Sequence, residues 1–200
     1  LLRFDGADGA LDDGTAGVVA AADTLAALER LARQRGAEIL EETRVLGIEP
    51  GADGIAVDTD KGRLVTERLV VTAGPWVTAL LPILMPRLTV ARQMVGYFVL
   101  AGDQDQYQVG RFPVWGNLGT DTNGVFYGLP SFGHEGIKIA RHVTAGVDDD
   151  PEEVVDPVDE AEVAALRACI EREFVPPVER FVSAERCYYT NTETEDFIID

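Results

Sequence analysis

The chain has 200 residues, of which 46% are hydrophobic and 8% aromatic, and a formal net charge of −18. Such a length and apolar content describe a packed chain of one large or two small domains and not a disordered one. The negative balance repels phosphate backbones and anionic lipids, which argues against nucleic-acid and membrane-surface partners, and no apolar run approaches the ~20 residues of a bilayer-spanning helix.

Residues 1–15 are rich in Gly and Asp and read as loop. Asp23 is placed to cap a helix over Thr24–Arg35, with Leu25, Leu28, Leu31 and Ala32 on one face and Gly36 just past its end. Strands are predicted at Glu38–Leu40 and Arg44–Ile48. Ile55–Thr59 and Arg63–Val65 flank the turn Asp60-Lys61-Gly62, a hairpin signal. Leu69-Val70-Val71-Thr72 is apolar and β-branched, as suits a strand buried on both faces of a parallel sheet. A short helix follows over Trp76–Leu84. From Leu88 onward the pattern becomes antiparallel, with strands predicted at Thr89–Leu100, Phe112–Trp115, Gly124–Gly128 and Gly136–His142. An acidic loop at Asp148-Asp149-Asp150 leads to a helix over Glu160–Phe174, ended by Pro176-Pro177, and Phe181–Thr190 is the last full strand.

Two cysteines, Cys169 and Cys187, are too few for a secreted disulfide scaffold and fit a reducing, cytoplasmic setting. A single bond between them stays open on sequence grounds. Cys169, beside Leu166 and Ile170, reads as a small buried hydrophobe. Of the 17 basic residues only Lys61 and Lys138 are lysines. Lys61 is in a turn. Lys138 is in an apolar strand, with both histidines, His134 and His142, within four residues of it. By strand alternation Lys138, Ala140 and His142 share a face, and so do Cys187 and Tyr189, whereas Arg186 points away from the sulfur. Lys138 and His142 start ~13 Å apart along a straight strand, too far to touch. No zinc spacing, Gly-x-Ser-x-Gly elbow, Walker loop or EF-hand pattern occurs. There is also no Gly-x-Gly-x-x-Gly turn of the kind that seats a dinucleotide pyrophosphate.

Several segments nonetheless resemble the sarcosine oxidase and N-methyl-amino-acid oxidase family of flavoenzymes. They are Gly14-Thr15-Ala16-Gly17-Val18-Val19, Ala73-Gly74-Pro75-Trp76, Arg92-Gln93-Met94-Val95-Gly96-Tyr97-Phe98, Phe126-Tyr127-Gly128-Leu129-Pro130-Ser131-Phe132-Gly133, Ile137-Lys138-Ile139-Ala140-Arg141-His142 and Arg186-Cys187-Tyr188-Tyr189-Thr190. The resemblance implies a mixed α/β and α+β fold in which part of an FAD-binding Rossmann-like domain interleaves with an antiparallel-sheet substrate domain. Residues 1–15 would be an edge of the substrate domain, 16–90 the partial FAD domain, 91–192 the substrate domain, and 193–200 a return to the FAD domain. The chain starts on Leu1 without an initiator Met, so the missing glycine turn is expected before it.

The same resemblance implies roles for individual residues. Cys187 would carry FAD covalently, Tyr189 would pack beside the ring, and Lys138 would hold a cation for O2 reduction. Tyr127 and His142 would contact the amine substrate. Gly74 and Trp76 would let the backbone approach the cofactor, and Val45 would touch its adenine end. Plain alternatives stand beside these: a buried structural cysteine, an edge-strand lysine, a turn glycine, a core valine, and structural Tyr127 and His142. His134, Glu135 and Arg141 depart from the family pattern. The implied activity is oxidation of secondary amines or N-methyl amino acids to an imine, with O2 reduced to hydrogen peroxide. A flavin dehydrogenase using another acceptor, or a non-catalytic domain that has lost its flavin, are the alternatives.

Overall fold

The computed structural model describes residues 1–3, 7–118, 125–142, 150–153 and 158–199. The turn expected at Asp5-Gly6 and the stretch Asp148-Asp149 lie outside them.

Chain contacts divide the protein into two compact units, Leu1–Val19 with Ala91–Tyr189, and Ala20–Val90 with Thr190–Asp200. The second unit holds helix α1 (Ala21–Gln34) and three antiparallel strands, β1 (Val45–Gly51), β2 (Gly54–Thr59) and β3 (Gly62–Thr66), in the order β1-β2-β3. The hairpin forms at its predicted turn, with Thr59 opposite Gly62. α1 begins three residues earlier than predicted, after Ala20. Asp23 makes no cap and sits in the first turn, where its charge suits the helix dipole. Gly36 takes a positive φ of 89° and ends the helix.

Three expectations fail in this unit. Residues 38–40 are not a strand, and neither are 69–72. Val70 is 83% exposed, because among the described residues no strand ladders onto that segment. The helix expected over 76–84 is broken into a 3-10 turn at Gly74–Trp76, one α turn, α2 (Val77–Leu80), and a second 3-10 stretch at Pro82–Arg87. Pro82 has no N–H to continue α2.

The first unit is built on a five-stranded sheet in the order β5-β6-β7-β4-β8. Its members are β4 (Leu88–Leu100), β5 (Trp115–Asn117), β6 (Val125–Leu129), β7 (Ile137–His142) and β8 (Val178–Thr192). The strand predicted over 112–115 starts only at Trp115. Helix α3 (Glu160–Glu173) is capped by Asp159, whose side chain accepts from the N–H groups of Ala161 and Glu162. It packs Val163, Leu166, Cys169 and Ile170 against Met94, Phe98, Phe126, Ile137 and Ile139 on one sheet face. Each such aliphatic side chain contributes roughly 1.5–3 kcal/mol by burial. Arg141 clamps β7 to α3 through a two-pronged pair with Glu162, at 3.2 and 2.6 Å. Both cysteines are free thiols. Among the described residues no helix is long and apolar enough to cross a membrane.

Candidate functional site

Alternation along the strands gives the sheet a second face, away from α3. There Val95 and Tyr97 of β4 and Ala140 of β7 form a small cluster, with Tyr127 of β6 and Val182 and Cys187 of β8 packed against it. The register explains the grouping. Tyr97 lies opposite Lys138, and Val95 and Tyr127 both lie opposite Ala140 from either side of β7. β7 runs between β6 and β4, so Lys138 is not an edge-strand lysine.

The polar groups of this face form a connected set. The Tyr127 and Tyr189 phenols face one another closely enough to interact. The Tyr189 hydroxyl lies 3.3 Å from His142 Nδ1, and the two rings are 5.2 Å apart at 49°. His142 thus engages β8 and not Lys138, as the strand spacing requires. Burial, then the neighbouring Tyr189 phenol, raises the Tyr127 phenol well above its ordinary value.

Cys187 is half-buried on the same face. Burial pushes its thiol up, the Lys138 ammonium pulls it down, and the Glu185 carboxylate adds to the rise. Lys138 is therefore the cation that acts on the sulfur. Arg186 turns the other way and lines a cavity of about 150 Å³ with Arg141, Glu162 and Met94.

Five of the expected residues, Tyr127, Lys138, His142, Cys187 and Tyr189, thus come from three strands onto one face. The other three lie in the second unit. Val45 opens β1 and is half-buried. Gly74, at a positive φ of 54°, and Trp76, 42% exposed, form the 3-10 turn. The larger of the two main cavities, about 450 Å³, is also in that unit, between Leu84, Leu88, Thr190 and Phe197, and none of the expected residues lines it. The chemistry-bearing side chains mark the candidate site better than this hollow does.

Sequence reasoning missed the Tyr97–Glu185 pair. The Tyr97 hydroxyl donates to Glu185 Oε2 at 2.8 Å. The signal was present, since Glu185 precedes Cys187 by two and so shares its side of the strand.

The face offers a thiol, a neighbouring ammonium and adjacent phenols, a donor set that suits the ring end of a flavin. The nucleotide end has no glycine-rich cradle in this sequence.

Residues 2–200 match the family model described as FAD dependent oxidoreductase. The chain is 34% identical over 200 residues to monomeric sarcosine oxidase of Bacillus sp. (strain B-0618), covering 96% of this chain and 49% of that protein. It is 31% identical over 173 residues to N-methyl-L-tryptophan oxidase of Salmonella arizonae, covering 86% and 44% respectively. Among solved structures, the open form of NikD, an unusual amino acid oxidase essential for nikkomycin biosynthesis, aligns with a TM-score of 0.69 at 24% identity, over 86% of this chain and 44% of that one. The chain spans about half the length of the curated relatives it matches.

Proposed function

The chain belongs to the FAD-dependent oxidoreductase family, and we propose that its first unit carries the ring end of the flavin site of an oxidase of secondary amines or N-methyl amino acids. The observation that carries this reading is the convergence of Cys187, Lys138, Tyr127, His142 and Tyr189 on one sheet face. The printed names of the relatives, sarcosine and N-methyl-L-tryptophan oxidases, support the substrate class.

When bound, FAD supplies a two-electron acceptor for oxidation of the substrate C–N bond to an imine. Cys187, half-buried on this face as a free thiol, would be the residue that holds the flavin ring covalently. Lys138, on the central strand β7 of the same face, would supply a fixed positive charge that favours developing negative charge on the oxidant. Tyr189 and His142 contact each other, with the Tyr127 phenol beside them, and these groups would present phenol and imidazole to the substrate amine or carboxylate. Val45, Gly74 and Trp76 of the second unit are proposed, each by itself, as cofactor-contacting residues.

The test is Cys187→Ser in the intact protein. The wild type should give a band that fluoresces as flavin on a denaturing gel, and the variant should give none. Fluorescence that survives the substitution would place the attachment on another residue. A wild-type protein that holds flavin and consumes sarcosine-like amines without releasing peroxide would overturn the oxidase assignment.

A further inference from the structure

We propose that Glu185, held by Tyr97, is a positioning residue that opposes the Lys138 ammonium and so sets how readily the Cys187 thiolate forms. The inference rests on the assignment of Cys187 given above. It is carried by a contact set that the flavin reading does not use. Tyr97 is only 6% exposed, its ring lies 4.2 Å from that of His134, and its hydroxyl donates to Glu185 at 2.8 Å. His134 is itself anchored. Its carbonyl accepts from Ser131 Oγ at 3.0 Å, and the next residue, Glu135, pairs with Arg180 of β8. A phenol fixed in this way has one direction in which to donate, and it fixes the carboxylate that accepts.

Cys187 packs against the cluster that contains Tyr97, and the Tyr97 hydroxyl holds Glu185, so sulfur and carboxylate share a neighbour. Tyr97, the anchor of Glu185, stands opposite Lys138 in the β4–β7 register. Glu185 is on the same side of β8 as Cys187. The groups on this face are Tyr97 from β4, Tyr127 from β6, Lys138 and His142 from β7, Glu185 and Tyr189 from β8, and His134 from the loop before β7. Tyr127, Tyr189 and His142 are engaged with one another, and His134 with Tyr97. The charges that act on the sulfur are Lys138, which favours the thiolate, and Glu185, which disfavours it. Glu185 is exposed, so its influence is screened by solvent and is smaller than that of a buried charge.

The measurement is alkylation of the intact protein by iodoacetamide, using protein made in riboflavin-starved cells so that the thiol is not already occupied. A sulfur–carbon bond forms, iodide leaves and the thiol proton passes to buffer. Peptide masses then report Cys187 and Cys169 separately as a function of pH. Glu185→Gln keeps the size and an acceptor for Tyr97, and should speed Cys187 labelling near neutral pH by roughly two- to fivefold, with the profile moved to lower pH. Tyr97→Phe should act in the same direction but less, and Lys138→Met in the opposite direction. Cys169, fully enclosed, should stay unlabelled and so certify the fold of each variant. Superimposable pH profiles for wild type and Glu185→Gln, with Cys169 silent, would overturn the proposal. If Cys169 labels in Glu185→Gln, the comparison of Tyr97→Phe with wild type decides. Adding FAD to the wild type separates this idea from the one beneath it. If Cys187 never acquires flavin, the attachment assignment fails while the Glu185 effect stands on its own.

Discussion

At Cys169 the thiol is fully enclosed between α3 and the sheet, and burial pushes it up to about 12, with Arg172 offsetting a little of the rise. The neutral form is therefore the one the fold holds. Below the ordinary thiol value of 9.0 both folded and unfolded chains keep the proton, and the site adds no pH dependence. Above it the unfolded chain ionises while the folded chain does not, so stability falls as pH rises toward about 12. The raised phenols of Tyr97 and Tyr127 add to the same alkaline loss. Cys169→Ala should cost about 1 kcal/mol near neutral pH through lost packing. It should also flatten the decline across the alkaline range, as read from urea midpoints measured at several pH values. An unchanged alkaline slope would mean that this thiol ionises in the fold as easily as outside it. Cys187 differs because it is half-buried and has Lys138 for company, which is why only one of two chemically identical side chains is a candidate nucleophile.

Turns and strand ends place these side chains, and Gly136 is the clearest case. It has a φ of 79°, and a Cβ there would lie 2.3 Å from the carbonyl oxygen of Phe98, a backbone atom that cannot swing aside. It stands two residues before Lys138, so it fixes how β7 starts against β4. Gly36, φ 89°, has a similar backbone but open space around it. Gly36→Ala should therefore cost only ~1 kcal/mol of strain, and Gly136→Ala about 2–4 kcal/mol of strain plus clash, by urea denaturation. Equal costs would show that the β4–β7 approach is not tight. The same elements show what was legible in sequence. The β2–β3 turn, the 3.6-residue spacing of Val163, Leu166 and Ile170, and the pairing of Cys187 with Tyr189 on one strand side all follow from local pattern, and the structure agrees. The apolar run at 69–72 misled, because apolar composition does not supply a neighbouring ladder. Strand order was not legible either. No local pattern says that β4 lies between β7 and β8, yet that order brings Lys138 within electrostatic reach of Cys187 and puts Tyr97 within hydrogen-bonding distance of Glu185.

Burial is distributed unevenly over the molecule as a whole. In the first unit, the core around Phe98, Leu100, Tyr107, Ile139, Leu166 and Phe174 is almost completely closed. In the second, only Ala56, Val57 and Val90 are counted as buried among the described hydrophobics, and α1 buries none of its residues. Leu25, Leu28 and Leu31, one stripe of that helix, are all exposed. A helix of 14 residues without a buried face is close to the limit of what local hydrogen bonding sustains in water. Local opening should therefore be far easier in the second unit than in the sheet of the first. Amide hydrogen exchange followed by mass spectrometry measures this directly. Peptides from β4, β7 and α3 should exchange slowest, and those from α1 and β1–β3 at least about a hundredfold faster. Should α1 prove as protected as β7, the low local stability argued for this helix is wrong.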